Sequence, residues 1–387
     1  MSTDLNMEYQ EVKFGDICRE VKLTTKDPIT DGYDKYIGLE HLDSGSLKIK
    51  RWGLIAEDNP TFTRVFKKGH ILIGKRRPYL KKAAIAEFDG ICSSDIIVVE
   101  GTQKYILSNL LPFLIHSNLF WDWAVKTSSG SLSPRTKFKD LSELKLSLIP
   151  FEKQKIFEPV LTKIQGNIAL TEASLCSAIN IKEIYSDSIY LNKTNQNPIG
   201  NHIDLLTGNP FSSKDFKLDG DFKLLRGINV TQGKIRWPEG DVKFWDEDKK
   251  LNKYRLDKND VIISMDGSLV GKNYALIDDK NYENMYLVQR VARLRCNDTL
   301  NYKYLFHAIG SSVFKNYVDT VKTVTAIPHI SPLDIRSFSI AIPEVKEQVK
   351  IACKLDAYQR AIESLQNKID ILNALKNRVI EEVFCKE

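Results

Sequence analysis

Residues 355–383 read LDAYQRAIESLQNKIDILNALKNRVIEEV, with apolar side chains at Leu355, Tyr358, Ile362, Leu365, Ile369, Leu372, Val379 and Val383 and one polar interruption at Lys376. Alternating steps of three and four are the seam of a coiled coil, here about four heptads long. The same spacing occurs 194 residues earlier, at Leu161, Ile164, Ile168, Thr171, Leu175, Ala178, Tyr185 and Ile189, with Lys182 at the interruption. Two long helices in matching register are therefore expected. The first seam is thinner, because Thr171 and Ala178 stand where the second has Leu365 and Leu372. Pro159 should kink the first helix or mark its first turn. Small side chains facing large ones suit two helices of one chain packed on each other. A helix covering only its own domain would present a broader apolar face.

The repetition extends beyond the helices. YIGLEHLDSG at 36–45 is matched by LLRGINVTQG at 224–233, FKKGHILI at 66–73 by LDKNDVII at 256–263, and KLSLIP at 145–150 by FSIAIP at 338–343. The offset is 188 between Gly45 and Gly233, 190 between Ile73 and Ile263, and 194 between Gln154 and Gln348. An ordered series at nearly constant offset predicts two tandem copies of one mixed α/β module, each followed by a long helix. The corresponding segments are a first domain at 1–150, a helix at 151–192, a second domain at 193–343 and a helix at 344–387. The polar run NKTNQNP, residues 192–198, reads as the linker between copies.

Composition narrows the function. The 387 residues are 42% hydrophobic and 27% charged, enough for two or three cores. A formal net charge of +6 permits a polyanionic partner without requiring one. Six cysteines lack CxxC or CxH spacing, so neither a disulfide framework nor a zinc site is expected, and a reduced, cytoplasmic setting is the plain reading. The polar start, Met1 to Gln10, is unlike a secretory leader, and no stretch approaches the roughly 18 apolar residues needed to span a bilayer.

Catalytic motifs are weak. Asn59-Pro60-Thr61-Phe62 and Asn209-Pro210-Phe211 distantly resemble the loop of an amino-methyltransferase, but neither follows a Gly-rich strand–turn–helix, and Asn-Pro is a common turn dipeptide. Asp266 to Gly271 lacks the spacing and ending of a phosphate loop. Glu143 and Lys145 with Asp122, or Glu344 with Lys346, could formally serve a metal-dependent nuclease, yet such groupings are frequent in a charged chain. The six histidines form no ligand or triad pattern. A non-catalytic chain without metal or cofactor is the expectation.

Two binding modules held apart by helices make a ruler, and a duplex with two half-sites is the natural ligand for a basic one. In the first copy the loop after Ile71-Leu72-Ile73 carries Lys75, Arg76, Arg77, Tyr79, Lys81 and Lys82; the second copy has Ser264, Asp266, Ser268, Lys272 and Asn273 there. Arginine can fork onto guanine, while lysine mostly anchors phosphate. A second loop in each copy offers Ser129, Ser131, Arg135 and Lys137, or Lys322, Thr323, Thr325 and His329. The competing readings are a solvated charged loop for the first set and plain turn formation for the second.

The order of YIGLEHLDSG, FKKGHILIGKRRPYLKKAAIAEFDGICSSD and LSLIPFEKQ, a long helix, then LLRGINVTQGKIRW, LDKNDVIISMDGSLVGK, LVQRV and FSIAIPEVKEQ, and a second helix resembles the specificity subunit of type I restriction-modification systems. The likeness spans essentially the whole chain. It implies two target recognition domains, each reading one half of a split, asymmetric site on double-stranded DNA, with the helices packed antiparallel as a spacer. It also implies two kinds of partner, methyltransferase (M) subunits using S-adenosylmethionine and a restriction/translocase (R) subunit using ATP and Mg, while this chain itself carries none of these cofactors. Pro159, the thin first seam and the unequal basic loops depart from an even repeat. A self-contained methyltransferase or nuclease, and a coiled-coil scaffold that binds only proteins, are the alternatives. Helices of about 40 residues would measure roughly 60 Å, compatible with half-sites about 34–36 Å apart.

Overall fold

The computed structural model describes residues 9–324 and 327–384. The chain forms two units, one running up to Glu172 and completed by the segment from Asn367 onward, the other comprising Ala173–Gln366. Each unit is mixed α/β and contains a stretch of both long helices.

In the first unit strands Cys18–Glu20, Ile96–Gly101, Ile71–Gly74 and Ala83–Ile85 lie side by side in that order, all antiparallel. The apolar run Ile71-Leu72-Ile73 is buried on both faces. Its alternation sends Ile71 and Ile73 into a core with Phe14, Phe120 and Trp121, and Leu72 into another with Ile37 and Phe66. The second unit repeats the arrangement with Ile203–Thr207, Val291–Cys296, Val261–Ser264 and Tyr274–Leu276. There Val261 and Ile263 face one core and Ile262 another. Each unit also has a second sheet, of four strands in the first unit and three in the second, with one parallel pair, Lys35–Ile37 beside Gly90–Cys92 and Phe222–Leu225 beside Met285–Leu287.

A two-stranded ladder closes each unit: Gln10–Lys13 with Lys145–Leu148, and Gln196–Pro198 with Ser339–Ala341. The expected linker is therefore shorter than its composition suggests, since its last three residues are a strand. That strand is largely exposed and has a single partner, so it needs neither apolar side chains nor a ladder N–H at Pro198.

The long helices run Phe151–Tyr190 and Val345–Phe384. Pro159 lies inside the first helix, not in its first turn. Burial follows the seam: Leu161, Ile164, Ile168 and Thr171 are buried, Leu175, Ala178, Tyr185 and Ile189 half-buried; Leu355, Ile369 and Val383 are buried, Tyr358, Ile362, Leu365, Leu372 and Val379 half-buried. In the first unit Leu161 shares a core with Ile380, Val383 and Phe384, and Gln165 accepts a hydrogen bond from Lys376 Nζ at 3.3 Å. In the second, Lys182 Nζ donates to Gln359 at 2.7 Å and Tyr185 packs edge-on against Tyr358, ring centroids 5.7 Å apart. Within each unit the partner's number falls as the first rises, so the helices are antiparallel. The two lysine–glutamine pairs are one interaction repeated, because Gln359 and Lys376 are the 194-residue equivalents of Gln165 and Lys182. Partial withdrawal from water lowers the pKa of both lysines. Thr171 satisfies its buried hydroxyl by donating to Asn167 O at 2.7 Å.

A buried glutamine ties each helix start to its unit. Gln154 Nε2 donates to Tyr105 O (2.8 Å) and Ile149 O (3.0 Å), and its Oε1 accepts from Leu107 N (2.9 Å). Gln348 repeats this with Thr299 O (3.0 Å), Pro343 O (2.7 Å) and Asn301 N (2.7 Å). The far helix ends complete the cores. Phe384 is buried with Phe14 and Leu146, and its equivalent Tyr190 with Leu355 and Phe338, the Tyr190 hydroxyl donating to Tyr304 O at 3.2 Å.

Phe384→Ala is expected to cost about 3–5 kcal/mol in the first unit alone. Hydrogen exchange should show Val98 and Val99 amides losing protection while Ala292 and Leu294 keep theirs. A second expectation concerns pH. The unfolded chain holds the Lys182 and Lys376 protons more tightly than the folded one, so their contribution makes stability rise with pH through the alkaline range. Lys182→Met and Lys376→Met should flatten that rise and increase the neutral-pH melting temperature, measured by calorimetry.

Candidate nucleic-acid interface

The two loops singled out in each copy are far apart in sequence and joined in space. In the first unit Lys75 N donates to Asp95 O (2.8 Å), Arg77 N to Pro134 O (2.7 Å) and Thr136 N to Lys75 O (3.0 Å). Arg76 Nε donates to Ser133 Oγ at 2.6 Å. Ser129 and Arg135 exchange reciprocal backbone bonds of 3.0 and 2.8 Å, which closes the second loop on itself. The second unit makes the same frame: Met265 N to Arg290 O (2.9 Å), Gly267 N to Pro328 O (3.0 Å), Ile330 N to Met265 O (3.0 Å) and Thr323 N to His329 O (3.0 Å). Each pair of loops is thus one surface at the end of the central strand.

The chemistry on that shared frame differs. In the first unit Arg76, Arg77, Tyr79, Ser129, Ser131, Arg135 and Lys137 are exposed, and Lys75, Lys81 and Lys82 half-buried. Arg135 Nε pairs with Asp95 Oδ1 at 2.9 Å, a contact that raises the guanidinium pKa. Two lysines are partly committed elsewhere: Lys82 Nζ donates to Leu39 O (2.7 Å) and Lys81 Nζ to Asn118 Oδ1 (2.9 Å). In the second unit Ser268 and Lys272 are exposed, Asp266 and Asn273 half-buried, and Ser264 lies in the strand at 3% exposure. Lys322 Nζ pairs with Asp319 at 2.5 Å, and Thr323 Oγ1 accepts from His329 N at 3.0 Å. Thr325 lies outside the described residues.

Sequence reading passed over Arg290. It occupies the place of Asp95 in the frame, its guanidinium is largely exposed, and its Nε lies 3.7 Å from Asp266. The charge at this place of the frame is inverted between units: Asp95 pairs with Arg135 of the second loop, and Arg290 lies beside Asp266 of the first. Only the position of Arg290 within LVQRV hinted at it.

The motifs weighed for catalysis have structural occupations. Asn59 caps the short helix Ile55–Asp58 in a left-handed conformation. Phe211 packs against Trp245 and Tyr286, centroids 5.0 and 6.0 Å away. Glu143 pairs with Lys13 at 2.7 Å. His116 contacts Ala83 O at 2.9 Å, and burial lowers its pKa to about 4. Among the described residues no group of three or more His, Cys, Asp or Glu side chains could hold a metal ion, and no helix is long and apolar enough to cross a membrane.

A family model described as the type I restriction modification DNA specificity domain matches residues 6–179 and again 201–374. The chain belongs to this family. It is 23% identical over 408 residues to the type I restriction enzyme MjaVIII specificity subunit of Methanocaldococcus jannaschii, covering 96% of this chain and 91% of that protein. It is 31% identical over 140 residues to the EcoDI specificity subunit of Escherichia coli, covering 36% and 31% respectively. Among solved structures the fold resembles the type I restriction-modification system S subunit from M. genitalium, with a TM-score of 0.60, 11% identity and coverage of 100% of this chain and 99% of that one. A chain from structural work on complex assembly and conformational transition of the type I R-M system gives a TM-score of 0.58 at 16% identity, with 97% of each chain covered. The two matches of the family model to this chain agree with the doubled surface.

The frame makes irregular loops rigid. Amides of Arg77, Thr136, Gly267 and Ile330 are expected to exchange at least about tenfold more slowly than those of Ser131 and Ser268, measurable by hydrogen–deuterium exchange with site resolution.

Proposed function

We propose that this chain is the DNA sequence-specificity subunit of a type I restriction-modification complex, reading a bipartite, asymmetric duplex site with one module per half. The observation that carries this reading is the repeated loop frame bearing different side chains in its two copies. One scaffold with two chemistries suits two different short sequences. Exposed lysines and backbone N–H groups would anchor phosphates and fix register, while arginines reach base edges.

In this reading residues 1–150 and 193–343 act as recognition domains, and 151–192 and 344–387 as the spacer that sets the gap between half-sites. The chain itself catalyses nothing. S-adenosylmethionine chemistry on adenine belongs to methyltransferase subunits, and ATP-driven translocation and Mg-dependent cutting to a restriction subunit, all in the cytoplasm.

The test maps methylated adenines in host DNA with the native chain and with two variants. Replacing loops 75–82 and 127–137 together should change only one half of the methylated motif. Inserting a heptad in each helix seam should change the number of unspecified bases and leave both halves alone. Methyl transfer or cleavage by the purified chain without partners, or loop replacement that alters neither half, would overturn the reading.

A further inference from the structure

We infer that Arg77 and Arg290 are base-reading residues, one for each half-site, each held on left-handed backbone. This rests on the proposed function and goes beyond it by assigning one determinant to each module, including one that the loop spacing did not single out.

Among the described residues, seven other than glycine have positive φ: Asn59, Arg77, Lys81, Gln103, Asn195, Asn259 and Arg290. Asparagine tolerates this region because its short polar side chain bonds locally; a long basic side chain has no such compensation. All three basic residues, Arg77 (φ 54°), Lys81 (φ 50°) and Arg290 (φ 74°), lie at the loop surfaces described above. For Arg77 and Lys81 the conformation belongs to the loop and not to the residue. At the 190-residue offset of the preceding strand, Arg77 corresponds to Gly267 (φ 96°) and Lys81 to Gly271 (φ 80°). The surrounding bonds correspond too, since Leu80 N donates to Arg77 O at 2.9 Å and Val270 N to Gly267 O at 3.1 Å.

Glycine is the unstrained choice where φ is positive, and the second module uses it. A Cβ on Gly267 would meet nothing within 4 Å, so crowding does not explain the missing side chain there. The first module keeps arginine in the same bend. A contact that needed only positive charge could be made by a flexible lysine on unstrained backbone. An arginine retained on a rigid, left-handed, hydrogen-bonded segment points instead to a guanidinium whose direction matters, as in a fork onto guanine O6 and N7. Arg77 and Arg290 are both exposed, and Arg290 has Asp266 3.7 Å away as a lateral guide. Lys81 shares the backbone conformation but donates its amine to Asn118.

The complex assembled from this chain and its partner methyltransferase, incubated with randomised duplexes and S-adenosylmethionine, tests the assignment. Arg77→Gly should relax one base position in one half-site by on the order of tenfold, and Arg290→Gly one position in the other half. Arg77→Lys, which keeps the charge and the backbone but not the fork, should behave like Arg77→Gly. Melting temperatures of the glycine variants should hold or rise by about 2 °C. Uniform weakening across all sequences, with the salt slope reduced by about 1, would make these phosphate contacts and overturn base reading. Unchanged specificity would also overturn it, and a lower melting temperature would show that arginine serves the fold. Absence of any sequence preference in the native complex would instead defeat the proposed function itself.

Discussion

The antiparallel seam of the two long helices is the constraint on which the two units depend. Each unit's core closes only when the end of a helix begun beside the other copy's sheets arrives: Phe384 among Phe14 and Leu146, Tyr190 among Leu355 and Phe338. The buried glutamines fix where each helix leaves its unit, because Gln154 and Gln348 each bond three backbone groups of the neighbouring segments. The half-buried lysine–glutamine pairs then discriminate register, since a slipped seam would leave Lys182 or Lys376 against apolar neighbours.

This division of labour lets the surfaces diverge. The bonds that stitch the paired loops run from backbone to backbone at Arg77–Pro134 and Gly267–Pro328, and at Thr136–Lys75 and Ile330–Met265. They are indifferent to most side chains. A frame of this kind holds its shape while Arg gives way to Gly, or while Asp95 gives way to Arg290. Affinity and specificity can change at these positions with little effect on the cores below, which depend on the alternation of Ile71-Leu72-Ile73 and Val261-Ile262-Ile263 between two apolar layers.

What was legible in the sequence is what leaves a one-dimensional trace. A helix seam writes itself as a spacing of three and four, and a duplicated module as a constant offset, so both long helices and the two-copy organisation could be read directly. The offset also marked Gln154 and Gln348, although not that they are buried ties. Backbone hydrogen bonds carry no side-chain signature, which hid the joining of residues 75–77 to 134–136. The left-handed bend at Arg77 and Lys81 was invisible because neither residue advertises it; only Gly267 and Gly271 in the other copy hint at the conformation. The strand at Gln196–Pro198 was masked by its polarity, and Ser264 proved to end a buried strand where the pattern suggested an open loop.

The placement of Phe384 has a consequence for synthesis. A core that contains both Phe14 and Phe384 cannot be finished until residue 384 has been made. At ordinary elongation rates the ribosome needs on the order of tens of seconds to travel from the end of the first module to the codon of Phe384. Throughout that interval the nascent first module presents an unfilled apolar face where Ile380, Val383 and Phe384 will later sit, so chaperone demand falls on the first module.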